Sequence, residues 1–241
     1  MTVTYVITGV SRGLGLEYIK QLSQRDDVIV FGCARNPQSS EKLMALVDNK
    51  KIFAVKLDTT SSESIQDAVD EVIKHSPNGI DILVNNAGIM DNMQDTVLST
   101  SKSEYLRVFE TNVCGVNDVT LAFLPLLRKS SAEVKKIINV SSRLGSIGLS
   151  TTGGIEGLFG SAYCVSKAGL NMMTKMFSNA LANESFIVMS IHPGWVKTDL
   201  GTDRANIYPE DSVRGQLSVI DNLTPKDNGS SIAYDGQPLE W

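Results

Sequence analysis

An α/β protein with a doubly wound parallel sheet is encoded by these 241 residues, and three features predict it. Short β-branched stretches alternate with stretches of helical spacing along nearly the whole chain. Most of the short stretches are apolar on both faces, as strands buried between two helical layers are. The first of them runs directly into a glycine-rich turn, TGVSRGLG at 8–15, that opens a helix.

TYVIT at 4–8 is the first strand, and LGLEYIKQLSQ at 14–24 has helical spacing. VIVFGCA at 28–34 is the next strand, followed by a helix around 38–48. IFAVKLD at 52–58 is strand, and SSESIQDAVDEVIKH at 61–75 is helix, with Ser61 and Ser62 as cap candidates and acids in its first turns. DILVNNA at 81–87 is strand. A long helix spans 102–129, its end bent by Pro125. KKIINVSS at 135–142 is strand, a helix carrying Tyr163 and Lys167 runs to about residue 183, and FIVMSIHPG at 186–194 is strand. Repeated βα units in a chain of this length imply a Rossmann-like order. No linker, repeat or low-complexity tract divides it, so residues 1–241 read as one domain. The stretches 143–161 and 199–230 have the least pattern.

Apolar residues make up 42% and charged residues 20%, the composition of a soluble globular protein. A net charge of −5 argues against nucleic acid or an anionic membrane as partner. Cys33, Cys114 and Cys164 are odd in number and scattered, the pattern of thiols in a reducing compartment. His75 and His192 stand far apart, and no His/Cys cluster suggests a metal. No apolar run is long enough to span a bilayer. The first eight residues already read as strand, leaving no room for a presequence, so the expected compartment is the cytoplasm.

SAYCVSKAG at 161–169 sets Tyr163 one helical turn before Lys167 and surrounds both with small residues. A cation beside a phenol favours phenolate, so Lys167 is expected to lower the Tyr163 pKa and fit it for proton transfer. At the other end, Gly9, Gly13 and Gly15 permit a tight turn and close approach to a pyrophosphate, with the helix N-terminus facing it. An acid at the end of the second strand would bind the ribose of NAD; this chain has Arg35 there, and Arg12 inside the glycine turn. Two guanidiniums suit a 2′-phosphate, which favours NADP(H).

With these motifs in order along nearly its whole length, the chain resembles the short-chain dehydrogenase/reductase family, and its C-factor-like and sniffer-type carbonyl reductases in particular. The likeness rests on TGVSRGLG, LD at 57–58, NNAG at 85–88, TN at 111–112, INVSSRLGSIG from 138, YCVSK, HPGWVKTDLG from 192 and the tail IAYDGQPLEW. It implies a cofactor loop of Gly9, Ser11, Arg12, Gly13, Leu14 and Gly15, with Asp58 at the adenine. Asn86, Ala87 and Gly88 would lie along the cofactor, and Pro193, Gly194, Val196 and Thr198 at the nicotinamide. Asn112, Ser142, Tyr163 and Lys167 would be the catalytic set. Tyr163 would give the proton, Ser142 would bond the substrate oxygen, Lys167 would also bond the nicotinamide ribose, and Asn112 would place a water.

The implied activity is NADPH-dependent reduction of an aldehyde, ketone, diketone or quinone. The alternative is a nicotinamide-binding regulatory or signalling protein with little turnover. An NAD-dependent alcohol dehydrogenase is disfavoured by Arg12 and Arg35. The family often pairs through its two long helices, so a homodimer is possible. The stretch from Ser142 to Tyr163 exceeds the usual family length; its glycines and apolar residues suggest a flap over the substrate, with Trp195 opposite. His192 reads as a packed loop residue, Cys164 as a small helix filler, and Met172, Met173 and Met176 as helix-packing residues.

Overall fold

The computed structural model describes residues 2–92, 95–150 and 160–241. Seven strands occur among them: β1 (Val3–Thr8), β2 (Val28–Ala34), β3 (Ile52–Lys56), β4 (Ile82–Asn85), β5 (Lys135–Val140), β6 (Phe186–His192) and β7 (Ser231–Ala233). They form one parallel sheet in the order β3-β2-β1-β4-β5-β6-β7. The helices are α1 (Gly13–Ser23), α2 (Glu41–Met44), α3 (Ser62–His75), α4 (Lys102–Phe109), α5 (Gly115–Lys129), α6 (Ile147–Ser150), α7 (Ser161–Ala180) and α8 (Pro209–Asp221). The expected doubly wound architecture is thus present.

Alternation along each strand builds two cores. Tyr5 and Ile7 of β1 join Val30, Val84, Ile138 and Ile191 under α1 and α8, which supply Tyr18, Leu22, Val213 and Leu217. Val6 points the other way and joins Phe31, Leu83, Ile137 and Val188 under α3 and α5, which supply Val69, Val72, Phe123 and Leu127. Each such side chain contributes about 1.5–3 kcal/mol by leaving water. The strand order reverses between β1 and β4, so the crevice beyond their carboxyl ends is where a ligand fits such a sheet.

Four expectations about secondary structure need correction. The helix expected around 38–48 shrinks to a turn at Pro37–Ser39 and the four residues of α2. Asp48 stops it: its carboxylate accepts the N–H groups of Lys50, Lys51 and Ile52 at 2.8–2.9 Å and folds the chain back. The helix over 102–129 is interrupted by a π-turn at Glu110–Cys114 that separates α4 from α5. The helix after Tyr163 ends at Ala180. The stretch 199–230 is far from patternless, because it contains α8; Ser212 and Gln216 lie on its buried face and interrupt the apolar period. There Tyr18 donates to Gln216 Oε1 at 2.8 Å, Gln216 Nε2 to Ser212 Oγ at 3.0 Å, and Ser212 Oγ to the Pro193 carbonyl at 2.6 Å.

Helix α7 is polar on its buried side. Tyr163, Ser166, Lys167, Asn171, Thr174 and Ser178 all face inward. Met172 and Met176 therefore fall on the outer face and are exposed, contrary to the expected packing role.

Candidate active site

A cleft of about 580 Å³ opens at the carboxyl ends of β1 and β4. Gly9 turns the chain there at φ +73°, and a Cβ on it would stand 2.8 Å from the Ala87 Cα. Only glycine lets the turn pack so closely on 86–88. The two motifs are also bonded. Asn86 Nδ2 donates to the carbonyls of Thr8 (2.8 Å) and Gly9 (3.2 Å), and Thr8 Oγ1 accepts the N–H groups of Asn86 and Ala87, both at 3.0 Å. Arg12 at the N-cap of α1 forms no side-chain capping bond, and Gly13, Leu14 and Gly15 of its first turn line the cleft. Ser11, Leu14, Gly15, Arg35, Asp58, Gly88, Pro193 and Thr198 also line it. Asp58 accepts from Thr60 N at 3.0 Å and Thr60 Oγ1 at 2.8 Å; the backbone bond leads in holding its carboxyl below the usual carboxylate range.

At the far end the cleft meets Tyr163 and Lys167. The Lys167 ammonium is buried and donates to the Val140 carbonyl at 2.7 Å. It stands 5.5 Å from the Tyr163 ring centre. The Ser142 hydroxyl accepts from Leu144 N at 3.1 Å and lies near enough to the Tyr163 phenol to favour its ionised form. Ser141 Oγ donates to Asn171 Oδ1 at 2.6 Å, and Asn171 Nδ2 to the Gly145 carbonyl at 3.1 Å, so α7 grips the chain on both sides of Ser142. The π-turn presents Asn112, a place where such turns recur at functional sites. Its amide accepts from Ile89 N at 2.9 Å and donates to the Ile89 carbonyl at 2.8 Å and Ser166 Oγ at 3.0 Å. A Cβ at Gly88 would lie 3.3 Å from Asn112 Oδ1 and 3.7 Å from Lys167 Nζ, so both face that glycine. Asn112, Ser142, Tyr163 and Lys167 thus lie near one another, but of the four only Tyr163 and Lys167 line the cleft; Asn112 is buried behind Gly88, and Ser142 stands off the lining.

One electrostatic expectation reverses. Burial pushes the Tyr163 phenol up to about 12, opposed by the neighbouring Ser142 hydroxyl. Burial likewise pulls the Lys167 ammonium down to about 8. Removal from water disfavours both charged forms. The phenol therefore keeps its proton at neutral pH.

A parallel sheet with this crevice, and with tyrosine and lysine one turn apart beside it, narrows the comparison with known proteins. Residues 3–207 match the family described as short chain dehydrogenase. The chain belongs to that family. This short chain dehydrogenase is 38% identical over 162 residues to the C-signal protein of Myxococcus xanthus, covering 67% of this chain and 93% of that one. Its fold matches the NADPH-bound carbonyl reductase from chicken fatty liver with a TM-score of 0.92 at 30% identity, each chain covered in full (100%). The carbonyl reductase Sniffer of Drosophila melanogaster matches equally well, with a TM-score of 0.92, 32% identity and 100% of both chains covered.

Some expected residues of the dehydrogenase fall elsewhere. Gly194 turns at φ +82° against Ile207 and Tyr234, and Val196 is buried and bridged to Ile207; neither lines the cleft. Trp195 also stands off the cleft wall, half exposed, its indole N–H donating to the Gly201 carbonyl at 2.6 Å. The flap expected over 143–161 is described only in part. Residues 143–150 are a short turn and α6, with Gly148 N donating to the Trp241 carbonyl at 3.1 Å, so this part packs on the C-terminus; residues 151–159 lie outside the described residues. His192 is packed as expected, its Nδ1 accepting from Arg143 N at 3.3 Å. Sequence reasoning missed Thr59, Thr60, Ile89, Thr111 and Asp199 on the cleft wall. Thr111 and Asp199 stand inside the TN and HPGWVKTDLG motifs, and Thr59 and Ile89 adjoin LD and NNAG, so all four were within reach of those signals; Thr60 carries none. No helix among the described residues is long and apolar enough to cross a membrane.

Proposed function

We propose that this dehydrogenase reduces small carbonyl compounds with NADPH, Tyr163 giving the proton. The observation that carries the reading is the buried phenol of Tyr163, with the Lys167 ammonium 5.5 Å from its ring, at the inner end of the cleft. The close-packed glycine turn, the uncapped start of α1 and the two arginines Arg12 and Arg35 suit a phosphorylated dinucleotide. The chicken enzyme's bound NADPH supports the same cofactor here.

When bound, the reduced nicotinamide supplies a hydride to the carbonyl carbon. Ser142 donates a hydrogen bond to the carbonyl oxygen, where negative charge grows, and Tyr163 Oη delivers its proton there. The product is the alcohol. Lys167 holds the ribose side of the cleft and offsets charge on the phenolate left behind. Asn112 keeps the start of the 88–91 segment against α7 through Ile89 and Ser166.

The exposed apolar residues Leu106, Val165, Met172 and Met176 on α4 and α7 support pairing of two copies through these helices, which sedimentation would test. The three cysteines, joined by no disulfide, suit the cytoplasm. The decisive experiment follows NADPH oxidation over aldehydes, diketones, quinones and aromatic ketones, with NADH as control and Tyr163→Phe beside the parent. Reduction by the parent and its near-complete loss in the variant are expected. Full activity of Tyr163→Phe rules out the assigned acid, and NADPH binding without turnover of any carbonyl favours the regulatory alternative.

A further inference from the structure

Helix α7 begins without a local cap. Its N-cap residue is Gly160, held at φ +73°, where a side chain is strained and none is present to accept the first N–H groups. Two of those groups are nevertheless satisfied from outside the helix. Asp91, about 70 residues earlier in the chain, sends one carboxylate oxygen to Ala162 N at 3.0 Å and the other to Tyr163 N at 3.1 Å. The side chain is buried, at 6% exposure. A Cβ on Gly160 would lie 2.9 Å from Asp91 Oδ1, so the carboxylate occupies the space an ordinary cap would fill.

Asp91 also sits on a particular piece of backbone. Gly88, three residues earlier, faces Asn112 and Lys167 at the cleft floor. Ile89 is held by Asn112 on both its N–H and its carbonyl. Arg107 Nη2 donates to the Met90 carbonyl at 3.2 Å. The segment 88–91 thus runs from the cofactor floor to the amide of Tyr163. A second tie, Ser161 Oγ to Thr100 Oγ1 at 2.5 Å and to Tyr105 Oη at 3.2 Å, anchors the same helical turn.

We propose that Asp91 is a positioning residue for Tyr163: it replaces the missing cap of α7 and fixes the first turn of the helix, so that the phenol meets Ser142 and the substrate oxygen. Two accepting oxygens serve two adjacent N–H groups, so asparagine, with one, replaces only half of the hold. The carboxylate's charge also favours the positive end of the helix. Displacing a reacting group by about 1 Å costs roughly a hundredfold in rate.

The inference rests on Tyr163 as proton donor, and its test separates the two. Asp91→Ala and Asp91→Asn are compared with the parent for kcat, KM, NADPH affinity, melting temperature and amide exchange over 160–166. In Asp91→Ala, kcat should fall by roughly ten- to a hundredfold while KM and the NADPH Kd stay within about twofold. Exchange should quicken at 160–166 alone. Asp91→Asn should restore part of kcat. Unchanged kcat in a folded Asp91→Ala, or a joint decline of kcat, NADPH affinity and melting temperature with no recovery in Asp91→Asn, overturns the proposal. If the alanine variant does not fold, Asp91→Asn alone decides: lowered kcat at constant KM supports it, and parental kcat sinks it. If Tyr163→Phe proves active, the functional reading falls, and exchange at 160–166 alone then scores Asp91: local quickening keeps its hold on α7, and no change removes it.

Discussion

Arg12 Nη1 stands 2.9 Å from Asp199 Oδ2, an ion pair that joins the glycine turn to the segment after Thr198 across the mouth of the cleft. The guanidinium assigned to the 2′-phosphate is therefore engaged by a carboxylate before any cofactor arrives. Both side chains are largely exposed, at 75% and 72%, so the pair itself is worth only about 0–1 kcal/mol. Removing the competing acid should favour the phosphate by the same small amount. Asp199→Asn is expected to tighten NADPH binding by up to about fivefold and to leave NADH nearly unchanged. Fluorescence titration reads both. Equal tightening of the two cofactors would show that Arg12 does not read the phosphate.

Arg35 sits exposed at the end of β2, on the same cleft wall as Asp58, whose carboxyl its charge helps to lower. Charge-assisted bonds to a phosphate contribute on the order of 1.5–3 kcal/mol each, so NADPH should bind at least about tenfold more tightly than NADH. Arg35→Asp should narrow or reverse that preference by repelling the phosphate and offering a ribose acceptor. A parent protein indifferent to the phosphate would remove this assignment.

The site was legible where chemistry demands a residue type at a fixed spacing. Tyr163 and Lys167, one turn apart, converge as their sequence spacing implies, and the glycine turn faces NNAG. What was not legible depends on contacts distant in sequence. Burial reverses the expected shift of the Tyr163 phenol, and no residue near it in sequence announces that burial. Asp91 lies in an unpatterned loop, and only the fold brings it under α7. Helix α8 escaped because Ser212 and Gln216 occupy core positions through bonds to Pro193 and Tyr18. The mispredicted helix near 38–48 fails for a local reason, the three N–H groups gathered by Asp48.

His192 gives the fold an acid-sensitive point. Burial foremost, and the charge of Arg143 next, pull its imidazole from 6.5 down to about 4. Its Nδ1 must be unprotonated to accept from Arg143 N, just after Ser142. Between those two pH values the unfolded chain binds a proton that the folded chain does not. Stability therefore declines as pH falls through this window, by about 1–3 kcal/mol from this group. Denaturant melts across the window should show the decline, and His192→Gln should flatten it. A variant with the parent's full pH dependence would place the effect elsewhere.

Lys167 should make cofactor binding sensitive to alkali. Its ammonium is enclosed, has the Val140 carbonyl as its hydrogen-bond partner at 2.7 Å, and is pulled by burial from 10.5 to about 8. NADPH brings negative phosphates and ribose hydroxyls to the cleft, and both prefer the charged amine. As pH rises through about 8 the free protein loses that charge, so binding must supply the proton again and the apparent affinity drops. The NADPH Kd is expected to increase from about pH 7 to about pH 9, by less than tenfold per unit. Lys167→Arg keeps its charge throughout and should flatten the profile; Lys167→Met should bind weakly at every pH. The same shift acts on stability with a definite sign. Between about 8 and 10.5 the unfolded chain holds a proton that the folded chain lacks, so the lysine's destabilising burial is relieved as pH rises across that range. Titrations of NADPH binding at constant ionic strength decide the first point. A pH-independent Kd in the parent would show that Lys167 stays charged in the unliganded protein, and that the polar groups around it offset the cost of its burial.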